Sequence, residues 1–255
     1  YDIFSAPETP GKFNPNHFFV SDFNLTADVP SFDMERLRAE ISDLSFYENH
    51  AGIDIEKLEG QFRSKKTNLW TEKLNLIFNN SSVAIKKAAY DTKNKDFEAN
   101  LKSEQIDPAD VSIFTDMIAH LDQMIALEVE ASGKIPQAKI SDFILKYGDD
   151  TNIIVKGEIS DFSKFETADI DLSVDQLKTT VKDLENFIRI GSEDFQNMQQ
   201  LEALKKIDAK LSAKGKLSDF KFTTLVITVP GDVSFNSKGS IRNEFSDMAY
   251  SGKLQ

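Results

Sequence analysis

The chain has 255 residues, 40% of them hydrophobic, and its 42 acidic and 30 basic side chains give a formal net charge of -12. This acidic balance disfavours nucleic acid as a partner, and the absence of cysteine excludes disulfides, thiolate nucleophiles and cysteine-ligated metal centres. No stretch approaches the ~18 consecutive apolar residues that a membrane-spanning helix needs.

The first hundred residues alternate between apolar and polar side chains with a period of two, which predicts strands with one apolar and one wet face. Turn sequences at 49–52, 79–81 and 91–94 separate these strands, as in a meander of antiparallel hairpins. The apolar phase supplies the candidates for an inner face, which are Phe23, Leu25, Leu37, Ile41, Ile53, Ile55, Leu74, Leu76 and Phe78.

The apolar period changes to three and four residues in three places, which predicts helices that interrupt the strands. The first helix, about 108–126, follows the start signal Asp107-Pro108. The second, about 174–190, follows a capping box that begins at Ser173, and the third spans about 194–208. The strands between and after them add the inner-face candidates Val129, Ile153, Val155, Leu225, Ile227, Val229, Val233 and Phe235.

An apolar residue followed by Ser-Asp-Phe or Ser-Asp-Leu occurs five times, which indicates a recurring supersecondary unit. The five serines are Ser21, Ser42, Ser141, Ser160 and Ser218. Ser and Asp side chains hydrogen-bond nearby backbone at turns. We therefore expect each copy to end a strand and to return its Phe or Leu to the apolar face.

Residues that carry chemistry are not grouped in the pattern of a known site. His17, His50 and His120 are far apart, and none has a metal ligand at the usual spacing. Asp149 and Asp150 follow a glycine in a predicted hairpin turn that lacks the ligand pattern of a calcium loop. With no phosphate loop and no nucleophile elbow, we expect neither enzymatic activity nor a cofactor nor a metal.

The apolar stripe itself is the candidate site, and it has two interpretations. Alternating strands most often fill the interior of a closed sandwich. A meander of repeated units can instead build a long curved sheet with a concave face, and a face of that size left open needs a ligand or partner. The sequence leaves both open.

Three segments, together with the Ser-Asp-Phe strands, carry a resemblance to a known family. They are the helix start at 107–111, the strand at 129–135 and the strand at 250–254. The chain resembles the TamB and AsmA-like translocation-and-assembly-module proteins, especially Bacteroidetes-type forms, over nearly its whole length. The implied fold is mainly β, a long curved antiparallel sheet forming a U-shaped β-groove with an apolar interior.

The resemblance also implies a function and a location. It implies a non-enzymatic, periplasm-facing internal segment of a longer protein that is anchored in the inner membrane. The segment would move phospholipid by its acyl chains between inner and outer membrane, or chaperone apolar envelope cargo. The implied protein partner is an outer-membrane barrel of the Omp85 type, reached through regions outside this chain.

Two other functions stay open at this point. One is a closed β-repeat module for structure or adhesion, without lipid transfer. The other is a carbohydrate-active enzyme built on β repeats, for which the single Trp70 offers little of the aromatic platform that sugars stack on.

Overall fold

The fold is given by a computed structural model that describes residues 11–14, 18–33, 36–161, 168–191, 205–216, 219–229, 233–244 and 247–254. Strands predominate in these ranges. They are β1 Val20–Asp33, β2 Arg36–Glu48, β3 Ile53–Lys65, β4 Asn68–Phe78, β5 Ser81–Asp91, β6 Asp96–Ile106, β7 Ile125–Lys134, β8 Gln137–Tyr147, β9 Thr151–Ser160, β10 Asp169–Thr180, β11 Lys206–Lys216, β12 Asp219–Val229, β13 Val233–Glu244 and β14 Asp247–Leu254. The helical elements are α1 Pro108–Ser112, a 3₁₀ turn Asp116–Ile118 and α2 Val181–Gly191.

The chain divides into two compact units. Unit 1 comprises Tyr1–Lys93 with Asn100–Ala126, and unit 2 comprises Asn94–Ala99 with Leu127–Gln255. In unit 1, β1 to β5 pair antiparallel with their sequence neighbours. In unit 2, β8 to β14 do the same. The predicted fold class, mainly β with an antiparallel meander, is confirmed.

Ser-Asp pairs produce bulges inside β2 and β8, and the copy at Ser21 lies at the start of β1, so the prediction that each copy ends a strand is wrong for all three. Ile41 lies opposite Gly60 and Leu44 opposite Leu58, so Ser42 and Asp43 together face one residue. In β8 the corresponding pair, Ser141 and Asp142, lies between Ile140 and Phe143. Two residues against one define a β-bulge, which bends the strand while keeping its flanking side chains on one face.

The remaining copies differ from these two. In β1 the unpaired residues are Asp22 and Phe23, one position later, and Asp22 has a φ of 53°. The copy at Ser160 does end its strand, β9, and Asp161 follows with a φ of 58°. Ser218 lies outside the described residues.

A glycine pairs with the apolar residue just before each of the two internal bulges, for a steric reason that is clearest at Gly157. This residue pairs with Ile140 on one side and Leu172 on the other, and its φ is 141°. A Cβ there would come within 2.1 Å of the Asp171 carbonyl oxygen. Only glycine allows the neighbouring backbone this close beside the bulge.

The helix predicted over 108–126 is much shorter, because other segments take over its last carbonyl groups. After α1 ends at Ser112, the carbonyl of Ile113 accepts the Phe13 N–H at 3.0 Å, and the Ser112 carbonyl accepts a hydrogen bond from Lys12. Thr115 then caps a separate 3₁₀ turn by accepting the Met117 N–H. Residues from Ile125 onward belong to β7.

The helix predicted over 174–190 begins later, at Val181, because residues 174–180 continue β10. Val174 pairs with Leu211 and Leu177 with Ala209, so the two residues between them oppose one. The bulge places two residues three positions apart on one strand face, which imitates helical spacing. Of the helix predicted over 194–208, residues 194–204 lie outside the described residues, and Lys206–Lys216 is strand β11.

Candidate apolar binding face

Directly opposed residues on adjacent strands share one face of a sheet, and in unit 1 this rule brings apolar side chains into a continuous row. The first row crosses β1 to β5 and consists of Leu25, Leu44, Leu58, Leu76 and Val83. None of these five side chains is buried. Residues inside a sandwich are covered by the facing sheet, so this row does not lie in a closed core.

Two further rows in unit 1 line a concave apolar cavity of about 390 Å³. Their members are Leu37, Ser64, Leu69 and Tyr90 in one row and Phe62, Thr71 and Ala88 in the other. Leu69 is 46% exposed at this cavity. Its volume lies within the range of about 300–1,000 Å³ typical of small-molecule sites. The rows together form the apolar face of unit 1.

The opposite end of this face is covered. Phe78 is buried near the turn at 79–80, and a chain of ring contacts runs from Phe46 through Phe18 and Phe13 to Phe114, with centroid distances of 5.9, 6.1 and 5.5 Å. The residues around α1 and the segment before β1 therefore close one end of the face. The cavity lies toward the other end.

Unit 2 repeats the arrangement with two long apolar rows, which form the apolar face of unit 2. The first row contains Phe143, Val155, Val174, Leu211 and Leu225, and the second contains Leu145, Ile153, Leu177, Ala209, Ile227 and Phe235. All five side chains of the first row are only half-buried. In the second row Ala209 is buried, because α2 lies over it.

The other face of each unit is polar and charged. In unit 2 one row runs Lys139, Glu158, Asp171 and Lys214 across β8 to β11. Lys214 donates to Asp171 at 2.6 Å, and this hydrogen bond raises the pKa of Lys214. Each unit is therefore an amphipathic sheet, with one apolar face and one face suited to water.

A buried aspartate ties the helix to the sheet in both units. In unit 1 the Ser81 hydroxyl donates to Asp110 at 2.6 Å. In unit 2 the Thr151 hydroxyl donates to Asp183 at 2.7 Å. Both aspartates are the third residue of their helix, and both hydroxyls belong to the first residue of the second strand of a hairpin. The same series of elements, a β-hairpin followed by one more strand and a helix, thus occurs twice in the chain.

The predicted inner-face residues have different degrees of burial. Phe23 and Leu25 are exposed, at 60% and 50%, whereas Ile53, Leu74 and Phe78 are buried. The half-buried set is Leu37, Ile41, Ile55, Leu76, Val129, Ile153, Val155, Leu225 and Ile227. Val229, Val233 and Phe235 hold paired positions in β12 and β13, with side chains outside the described set.

Simple alternation omitted the residues that follow a bulge. Leu44, Phe143 and Leu177 lie in the rows described above, yet each is three positions after the preceding apolar residue of its strand. For Leu44 and Phe143, the prediction that each Ser-Asp-Phe or Ser-Asp-Leu copy returns its last residue to the apolar face is confirmed by the strand register.

Two negative findings apply to the described residues. They contain no group of three or more His, Asp or Glu side chains placed to hold a metal ion. Among them there is also no helix with the length and apolar character needed to span a membrane.

Comparisons with known proteins return no relative. No protein-family model, no curated protein and no solved structure matches the chain significantly.

Proposed function

We propose that this chain is a non-enzymatic segment whose apolar faces hold lipid acyl chains or nascent apolar chains. The observation that supports the proposal is the row of Leu25, Leu44, Leu58, Leu76 and Val83, which is apolar across five strands and unburied. Leu25 is exposed and the other four are half-buried, and an apolar row of this extent that is not enclosed in a core is typical of a binding site.

The physical chemistry of the faces suits lipid better than a ligand with fixed polar groups. Each methylene moved from water to an apolar wall gains about 0.8 kcal/mol. Leu, Ile, Val and Phe offer this gain at many equivalent positions, so a chain can slide along a row without breaking a specific bond. The charged rows on the opposite face, such as Lys139 to Lys214, keep contact with water.

The resemblance to TamB and AsmA-like proteins extends the proposal to a cellular role. In that role the chain is part of a bridge in the periplasm that carries phospholipid between the inner and outer membranes and serves outer-membrane biogenesis. An Omp85-type barrel would be contacted by other regions of the longer protein.

The test compares two charge substitutions in the same strand. Leu69 lines the cavity and is 46% exposed, while Ile77 is 37% exposed and lies on the polar face opposite Lys57 and Ser82. Wild-type protein, Leu69→Asp and Ile77→Asp are purified without detergent and extracted with organic solvent, and phospholipid is quantified by mass spectrometry. We expect equal lipid in wild type and Ile77→Asp, and about tenfold less in Leu69→Asp, because an ionised carboxylate at the cavity wall is costly to desolvate.

Two results would contradict the proposal. The first is the absence of lipid from all three proteins, and the second is equal lipid in all three. Either result would favour a closed β-repeat module with a structural or adhesive role. Circular dichroism of each variant establishes that the fold is intact.

A further inference from the structure

We propose that α2 is a lid that occupies the place of the ligand on the apolar face of unit 2 and must lift for that ligand to bind. The inference rests on the proposed function and adds a mechanism of access to it. Its basis is a set of contacts between α2 and the second apolar row of unit 2.

The helix covers the second apolar row of unit 2. Val181 forms a buried cluster with Ile207 and Ala209, and the residues packed against this cluster are Leu177, Leu184 and Ile227. Three of these residues, Leu177, Ala209 and Ile227, are members of the row. The apolar side of α2 therefore makes the contacts that an acyl chain would make there.

Aromatic packing extends the covered area to the end of β8. The Phe187 ring meets the Tyr147 ring edge-on at a centroid distance of 5.2 Å. Tyr147 is fully buried. The buried area around α2 thus involves residues of β8, β10, β11 and β12.

The attachment of the helix to the sheet is local and polar. The Thr151 hydroxyl donates to Asp183, and the Thr151 and Thr179 hydroxyl oxygens lie 2.9 Å apart. The Asp183 N–H donates to the Thr180 hydroxyl at 3.1 Å, which caps the first turn. The side chains of Thr151, Thr179 and Asp183 are all buried. The charge-assisted hydrogen bond from Thr151 to Asp183 is one of the ties between the first turn of α2 and the sheet.

The first apolar row of unit 2 lies beside the second row and is outside the cluster under α2. Val155, Val174 and Leu211 are half-buried, and none belongs to the cluster under α2. A ligand in contact with this first row gains area by displacing the helix from the second row. Binding and lid opening are then coupled, because only the open state binds the ligand. The apparent affinity is the affinity of the open state multiplied by the fraction of molecules that are open.

The experiment weakens the tie by removing its charge on the helix, or removes its donor on the sheet, and measures both binding and lid opening. The variants are Asp183→Asn on the helix and Thr151→Val on the sheet. The control is Asp175→Asn, the same chemical change at an exposed site whose carboxylate accepts from the Ser173 hydroxyl at 2.7 Å. The probe is cis-parinaric acid, a fluorescent fatty acid, and hydrogen exchange of the amides of 181–191 reports the lid.

We expect Asp183→Asn and Thr151→Val to bind the probe about tenfold more tightly than wild type, since each raises the open population. Bound probe should accelerate exchange over 181–191 and slow it in β10 and β11. Asp175→Asn should behave as wild type.

The outcomes separate this inference from the proposed function. If the probe binds and Leu69→Asp weakens its binding, while exchange over 181–191 is unchanged and both tie variants bind as wild type, α2 is a fixed part of the core and only the lid inference is wrong. If the probe binds no variant, both inferences are wrong. If Asp183→Asn unfolds and Thr151→Val does not, the result for Thr151→Val decides whether α2 is a lid.

Discussion

Glu48, the last residue of β2, is a carboxylate held almost out of contact with water, with 1% of its surface exposed. Burial opposes its ionisation, but the backbone N–H groups of Ala51, His50 and Phe19 point at its two oxygens, at 2.7, 3.0 and 3.4 Å. These donors outweigh burial and lower the pKa of Glu48 below its ordinary value. The charge therefore fixes the turn between β2 and β3 and the chain entering β1.

The first prediction concerns the pH dependence of this site. A folded-state pKa below the unfolded value of about 4.3 means that ionised Glu48 stabilises the fold above that pH, and that this contribution is lost as pH falls through the folded pKa. Glu48→Gln should lower the free energy of unfolding by about 1–3 kcal/mol at pH 7, and by much less in strong acid. Urea denaturation at several pH values measures this difference.

Glu40→Gln is the matched control, because Glu40 is an exposed residue of the same strand. It should change the free energy of unfolding by less than about 0.5 kcal/mol. Equal losses in the two variants, or a loss at Glu48 that does not depend on pH, would contradict the assignment.

Among the elements, the bulged strand determines which side chains reach the apolar face. Between Ile140 and Phe143, the residues Ser141 and Asp142 together oppose Lys156, whose ammonium group lies 3.2 Å from the Asp142 carboxylate. The extra residue shifts the alternation by one position. If the residues from Ile140 to Phe143 alternated regularly, with no bulge, Phe143 would lie on the polar face.

The second prediction uses this parity. Deleting Asp142 alone leaves Ser141 opposite Lys156 and keeps Phe143 opposite Val155, so the protein should still unfold in one cooperative transition. Deleting both Ser141 and Asp142 moves the half-buried Phe143 and Leu145 to the polar face, at about 1 kcal/mol for each side chain. We expect that variant to lose cooperative unfolding, as monitored by near-ultraviolet circular dichroism during urea titration.

The two deletions serve as controls for each other. If the double deletion proves as stable as the single one, the register in β8 is not fixed by the pattern of apolar residues. That result would contradict the role of the Ser141-Asp142 bulge in keeping Phe143 on the apolar face.

The same bulges explain how far sequence reasoning could go. Uninterrupted stretches such as Leu37 to Ile41 alternate regularly, so their strands and the turns between them were predictable. The spacing of Val174 and Leu177 predicts a helix, because a bulge and a helical turn both place residues three apart on one face. What distinguishes the two is pairing with Val155 and Leu211 on neighbouring strands, a non-local contact that no window of sequence contains.

Neither the cavity of unit 1 nor the hydrogen bonds of the buried aspartates could be predicted from the sequence, for a related reason. The cavity beside Leu69 combines residues from four strands, and the Asp183 tie joins residues 32 positions apart. Their side chains are ordinary types at ordinary spacing. Only the register of the strands brings them together.

For the molecule as a whole, a net charge of -12 and the incompletely covered apolar faces of the two units act in opposite directions on association. Like charge keeps copies of the chain apart over distances comparable with the Debye length, about 10 Å at 0.1 M salt. The apolar faces attract at contact, and salt does not weaken that attraction. The balance between monomer and oligomer should therefore depend on ionic strength.

The third prediction follows from this balance. Raising sodium chloride from about 0.05 M to about 0.5 M shortens the Debye length roughly threefold, so the mean mass measured by multi-angle light scattering should increase at fixed protein concentration. A non-ionic detergent should reverse the increase, because its tails occupy the apolar faces that the copies otherwise bury against one another. Leu69→Asp should associate less than Ile77→Asp, since both add the same charge but only Leu69 lines the cavity. A mass that does not change with salt, or that changes equally in the two variants, would show that the apolar faces do not drive association and would weaken the case that they are open to lipid.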